Sequence, residues 1–119
     1  IPQNKDRGKC VKMGLNGSIE VVASGLRTPN GIGIGIDDEI FIADNQGDWL
    51  PSCKILHVTP DAFFGSYSVD LYNVGKYTEK LPVVWLPQGE IGNSASQPGL
   101  IIDNGPFAGQ MVHGDVTHG

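Results

Sequence analysis

From Gly31 to Ile36 the chain alternates glycine and isoleucine with a strict period of two. Successive side chains of a β-strand point to opposite faces, so Ile32, Ile34 and Ile36 share one face while the other has no side chains at all. A strand of this kind suits a crowded place where something approaches the backbone closely.

The rest of the sequence agrees with a β architecture. Seventeen glycines and eight prolines in 119 residues are about a fifth of the chain, against a usual share of about 12%. Turns must be frequent. No stretch keeps apolar residues at i, i+3, i+4 and i+7, whereas short Val/Ile runs bounded by Gly, Pro, Asn and Asp recur. The expected class is all-β, built of antiparallel sheets in one modest domain.

The expected strands begin with Val11–Leu15, which turns through Asn16-Gly17 into Ser18–Ala23. Asn16-Gly17-Ser18 also fits a glycosylation sequon, but Asn-Gly between two apolar runs reads as a hairpin turn. Pro29 ends that unit, because proline cannot donate to a ladder. Gly31–Ile36 pairs through a tight Asp37-Asp38 turn with Glu39–Ala43, and Cys53–Val58 follows a long polar turn. Further strands are expected at Val69–Tyr72, Val83–Leu86, Leu100–Ile102 and Gln110–His113.

A faint internal repeat sets Thr28-Pro29-Asn30-Gly31-Ile32 beside Gln97-Pro98-Gly99-Leu100-Ile101. Each opens an apolar strand, an acidic turn and a second strand that runs into polar residues. The economical reading is a basic segment and first hairpin strand over 1–18, then about two propeller blades over 19–119, with Gly31–Ile36 an inner strand near the axis. Blades are four-stranded antiparallel sheets and a propeller carries about four to eight of them. The expected fold is therefore a partial β-propeller, completed by other chains or refolded into an assembly.

Charge narrows the partners. The net charge is −5, yet Lys5, Arg7, Lys9 and Lys12 against Asp6 give residues 1–12 a charge of +3 and leave −8 for the remainder. An acidic body lacks the clustered basic residues of a nucleic-acid footprint. Nothing approaches the roughly 18 apolar residues of a membrane span. A start on Ile1 rather than methionine is read as the removal of an upstream segment. Cys10 and Cys53 leave two readings open, a disulfide closing a loop of about 40 residues or two free buried thiols.

Residues with chemistry cluster between Gly25 and Tyr67. Asp44, Asn45, Gln46 and Asp48 bring many oxygens into one turn, and calcium takes six to eight oxygen ligands. Acidic turns are equally common because Asp and Asn satisfy their own backbone. Trp49 beside Pro51 reads as packing under the next turn, the alternative being one wall of a ligand site. His57, His113 and His118 are isolated, with no HxxxH or HxH spacing.

Gly25-Leu26-Arg27-Thr28-Pro29-Asn30-Gly31, Ile40-Phe41-Ile42-Ala43-Asp44-Asn45-Gln46-Gly47 and Phe64-Gly65 resemble the secreted six-bladed propellers related to soluble quinoprotein glucose and sorbosone dehydrogenases. The tail from Gly105 to Gly119 also looks like the bacterial extracellular branch of those proteins. The resemblance implies a secreted or periplasmic location and a site for pyrroloquinoline quinone and calcium. On that pattern Arg27 and Asn30 face the quinone, Thr28 replaces a family asparagine, and Gly47 and Asp48 stand where backbone carbonyls hold calcium. For Arg27 a surface or inter-strand salt bridge is the alternative. The family's general base and its remaining quinone-binding residues lie in blades that this chain does not contain, so the isolated chain is expected to be inactive. A second reading is a structural module whose open edges recruit other blades or copies of itself, as an oligomer or filament.

Overall fold

The computed structural model describes residues 4–47, 49–71 and 74–117. Its elements are β1 (Cys10–Met13), β2 (Ile19–Ser24), β3 (Pro29–Ile34), β4 (Ile40–Asp44), β5 (Ser52–Val58), β6 (Ala62–Phe63), β7 (Val84–Pro87), β8 (Gly99–Leu100) and β9 (Met111–Val112). They form three sheets, ordered β1-β2-β6, β3-β4-β5-β7 and β8-β9. All pairings are antiparallel except the short parallel contact of β2 with β6. The all-β expectation holds, and none of the sheets closes on itself.

The central sheet is a meander whose two faces follow from register. Ile32 pairs with Ile42 and Ile34 with Ile40, while Ile42 also pairs with Leu56 and Ile40 with Val58. These apolar residues lie on one face, and its covered part packs against Ala23, Leu26, Ala62 and Phe64 from the β1-β2-β6 side. On the opposite face Ala43, Cys53, Ile55 and Leu86 close on Ala95, the start of the third sheet's hairpin. The result is three layers stacked in chain order. Fully burying a single aliphatic or aromatic side chain contributes about 1.5–3 kcal/mol, so these two seams hold the layers together.

The bare face of β3 is occupied by the chain itself. A Cβ added at Gly31 would meet the Gln97 backbone, and one at Gly33 would run into the Pro98 carbonyl. The other face is open, with Ile32 and Ile34 52% and 58% exposed. The hairpin between β3 and β4 turns at Asp37 and Asp38, which have φ of 56° and 60°. Positive φ at both central positions matches the right-handed strand twist of a two-residue hairpin.

Two expectations change, and one left open is decided. Val69 is buried, but its N–H donates to the Ser66 carbonyl in a turn and not to a strand. Its side chain instead fills space beneath Gly8. Of the segment expected there as a strand, Tyr72 lies outside the described residues. Pro29 opens β3 at an irregular step opposite Asp44, a position where proline's missing N–H is tolerated. Cys10 and Cys53 are free thiols, packed in different core clusters. Among the described residues no helix is long and apolar enough to cross a membrane.

Candidate functional site

The site-bearing end of the central sheet is organised by Asp44. The Ile40-Phe41-Ile42-Ala43 alternation puts Asp44 on the same inward face as Ile40 and Ile42, and its side chain is fully buried. A buried carboxylate must be satisfied. One oxygen accepts the Arg27 N–H at 3.0 Å and the other the Thr28 N–H at 2.7 Å. The Asn45 N–H returns to the Thr28 carbonyl at 3.2 Å. Lys54, Asp44's register partner on β5, brings its ammonium to 3.7 Å, also buried.

A similar clasp, with both amides on one carboxylate oxygen and the Thr117 N–H on the other, occurs in the third layer. Asp115 accepts the N–H groups of Asn93 and Ser94 at 2.9 and 2.8 Å, and the Val116 N–H donates to the Ser94 carbonyl at 3.0 Å. Asp44 with Arg27 and Thr28 therefore corresponds to Asp115 with Asn93 and Ser94. The two clasped hairpins meet where Asn30 Nδ2 donates to the Ala95 carbonyl at 3.0 Å.

Beside the first clasp lies an open cleft of about 430 Å³, bordered among others by Arg27, Gly47, Trp49, Lys54, Tyr67 and Glu79. Its far wall is placed by Gly25 and Gly65, both with positive φ, which let the Ser66 N–H reach the Gly25 carbonyl at 2.9 Å. Tyr67 leans on Phe63 with ring centroids 5.3 Å apart. Glu79 arrives through the bridge it forms with Phe63. Trp49 is 94% exposed at the rim, so it borders the cleft and does not pack under the following turn.

The structure thus brings together Arg27 and Gly47, which come from separate turns. Asn30 is not among the residues lining this cleft, and Asp48 lies outside the described residues. Lys54, Tyr67 and Glu79 join the site without having been singled out in the sequence. A lysine inside the buried run Ser52–Leu56 does announce a hidden partner, whereas nothing local marks Glu79.

The side chains of the oxygen-rich turn are engaged within the protein. Asp44 is engaged by two amides and Lys54. The side-chain oxygens of Asn45 and Gln46 face the Cys53 thiol at 3.8 and 3.2 Å. Among the described residues no three His, Cys, Asp or Glu side chains are placed to hold a metal. Asp44, Asn45 and Gln46 are thus engaged within the protein, while Asp48, expected with Gly47 at a calcium site, lies outside the described residues.

The histidines serve elsewhere. His57 stacks on Phe41 at 5.1 Å and bonds Glu39 through Nε2 at 2.8 Å. His113 Nδ1 lies 3.1 Å from the Gly114 carbonyl, and His118 lies outside the described residues. No described histidine borders the cleft. Comparison with protein-family models, curated proteins and solved structures found no match to this chain.

Proposed function

We propose that this chain is a structural segment of a propeller-like protein resembling the secreted quinone-dependent sugar dehydrogenases, and that its cleft is one wall of that protein's ligand site. The observation that carries this reading is the meeting of Arg27 and Gly47 in a single cleft, because the resemblance assigns both turns to the site. The repeated carboxylate clasp lends support, since propellers repeat one structural unit around an axis.

Trp49 and Tyr67 offer aromatic surface to a planar or sugar-like ligand, while Arg27 offers a guanidinium fork suited to a carboxylate. When bound, the quinone would supply the redox chemistry. The chain's own part is binding and orientation, and the described cleft presents no histidine as a base for proton abstraction. We therefore read the isolated chain as a binding wall without turnover.

The test is a titration of pyrroloquinoline quinone into the purified chain, followed by quenching of tryptophan fluorescence. Saturable quenching that is weakened by Arg27→Ala and indifferent to a calcium chelator is expected, with no dye reduction on adding glucose. Absence of saturable quenching, or quenching unchanged by Arg27→Ala, would overturn the reading.

A further inference from the structure

The three layers are unequal in a complementary way. The central sheet runs through four strands from β3 to β7. Its neighbour on the apolar face contains β1, β2 and β6, with β1 nearest β3: Lys9, Cys10 and Val11 share a groove of about 370 Å³ with Pro29, Ile32 and Ile42. No described strand pairs with the other edge of β1, and the stretch of β3 that such a strand would cover is the exposed Ile32 and Ile34. At the opposite end of the stack, β8 and β9 form a two-stranded hairpin with β8 against β3. No described strand continues that sheet past β9.

We propose that two copies of this chain join head to tail, β9 of one pairing with the free edge of β1 in the next. The composite sheet would run β8-β9-β1-β2, reproducing the four-stranded order of the central sheet. Its β9 would then lie over the exposed Ile32 and Ile34 of the second copy, on the face of β3 opposite the glycine face that β8 covers in its own.

Charge selects this occupant. Lys5, Arg7, Lys9 and Lys12 lie on or just before β1, with Asp6 and Glu20, the cross-strand partner of Lys12, as acidic neighbours and a net positive balance. Residues 90–117 carry Glu90, Asp103 and Asp115 and no lysine or arginine. The basic end of one copy therefore meets the acidic end of the next, whereas like ends repel. Apolar surface is present on both sides, with Val11 and Ile32 on one and Ile102 and Val112 on the other. Unpaired edges of this kind accept added strands. The contact is heterologous, so it closes into a ring if the rotation allows and otherwise continues as a filament. Each copy contributes two sheets, so about two to four copies would supply the four to eight sheets of a propeller.

The inference takes up the stacked-unit reading above, but its readout is particle mass, so assembly and quinone binding can fail separately. The purified chain is examined by sedimentation at low and high salt, together with the exposed charge reversals Lys12→Glu and Asp103→Lys. Concentration-dependent oligomers are expected at low salt, weakened about tenfold by either reversal and partly restored when the two variants are mixed. Hydrogen exchange should slow together in β1 and β9 on association. A chain that stays monomeric at about 100 μM, far above the Kd of a stable interface, overturns the proposal. So does an oligomer indifferent to both reversals, or exchange protection located elsewhere.

Discussion

Asp44 and Lys54 face each other across β4 and β5 with 3.7 Å between carboxylate and ammonium, both buried. Their pairing ties the first clasp to the strand that forms the middle of the central sheet. Removing one partner leaves the other charged and uncompensated, which typically costs about 3–5 kcal/mol. Asp44→Ala also strips the acceptor from two backbone N–H groups. We expect a loss in that range by urea denaturation, with Asp44→Asn losing less because an amide oxygen can keep one of the bonds. A loss below about 1 kcal/mol for Asp44→Ala would mean the pair is solvated and the clasp slack.

Gly33 tests the close approach of the third layer. A methyl group at Gly33 meets the Pro98 carbonyl, whereas one at Gly47 has only ordinary contact with Leu50 at 3.9 Å. Gly33→Ala should destabilise by about 1–3 kcal/mol, the usual effect of overpacking, and Gly47→Ala should be near neutral. Thermal melting of the two variants side by side is sufficient. Equal melting temperatures would contradict the contact.

The β3–β4 turn stores a small strain. Asp38 has φ of 60°, a region that glycine enters freely and other residues enter at roughly 1–2 kcal/mol. Asp38→Gly should therefore raise stability by up to about 1 kcal/mol, the remainder being offset by glycine's greater freedom when unfolded. A decrease in the chemical denaturation midpoint would show that Asp38 makes a compensating contact.

Cys10 carries the pH dependence that the interior imposes. Desolvation by burial raises its thiol above the ordinary value of 9.0. The folded state then holds the proton where the unfolded state has released it. Its contribution to stability is complete below pH 9.0 and is lost as pH rises through the higher folded value. The difference in stability between pH 8 and pH 10 should shrink in Cys10→Ala. In the parent chain, alkylation by iodoacetamide near pH 8 should be slower at Cys10 than at a free thiol, because the thiolate is the nucleophile.

The sequence made the central sheet legible because period-two alternation and fencing turns operate within a few residues. Gly31–Ile36, Glu39–Ala43 and Cys53–Val58 each fall within two residues of β3, β4 and β5 at either end. The two-residue β6 escaped, since its parallel partners Ala23 and Ser24 lie far back in the chain and no local pattern encodes them. Val69–Tyr72 was misread for the opposite reason. Its apolar residues satisfy a burial pattern, but Val69 spends that burial in a turn. For the site, Arg27 and Gly47 were singled out by the family resemblance of their turns, while Asp44's role required knowing which backbone amides would face it. Asn30, chosen by the same resemblance, joins layers at Ala95, a contact set by packing between distant segments.

The glycine face of β3 has a geometric consequence for the third layer. Side chains ordinarily hold facing sheets about 10 Å apart, and Phe41, Ile55 and Leu86 act as such spacers farther out on this face. At Gly31 and Gly33 the spacer is removed, so the backbone of Gln97 and Pro98 comes against β3 directly. At this one junction the two backbones therefore approach directly at β3, while side chains fill the space at Phe41, Ile55 and Leu86. The approach of the third layer is thus set by two missing side chains, and restoring either one would push the Gln97-Pro98 segment away from β3.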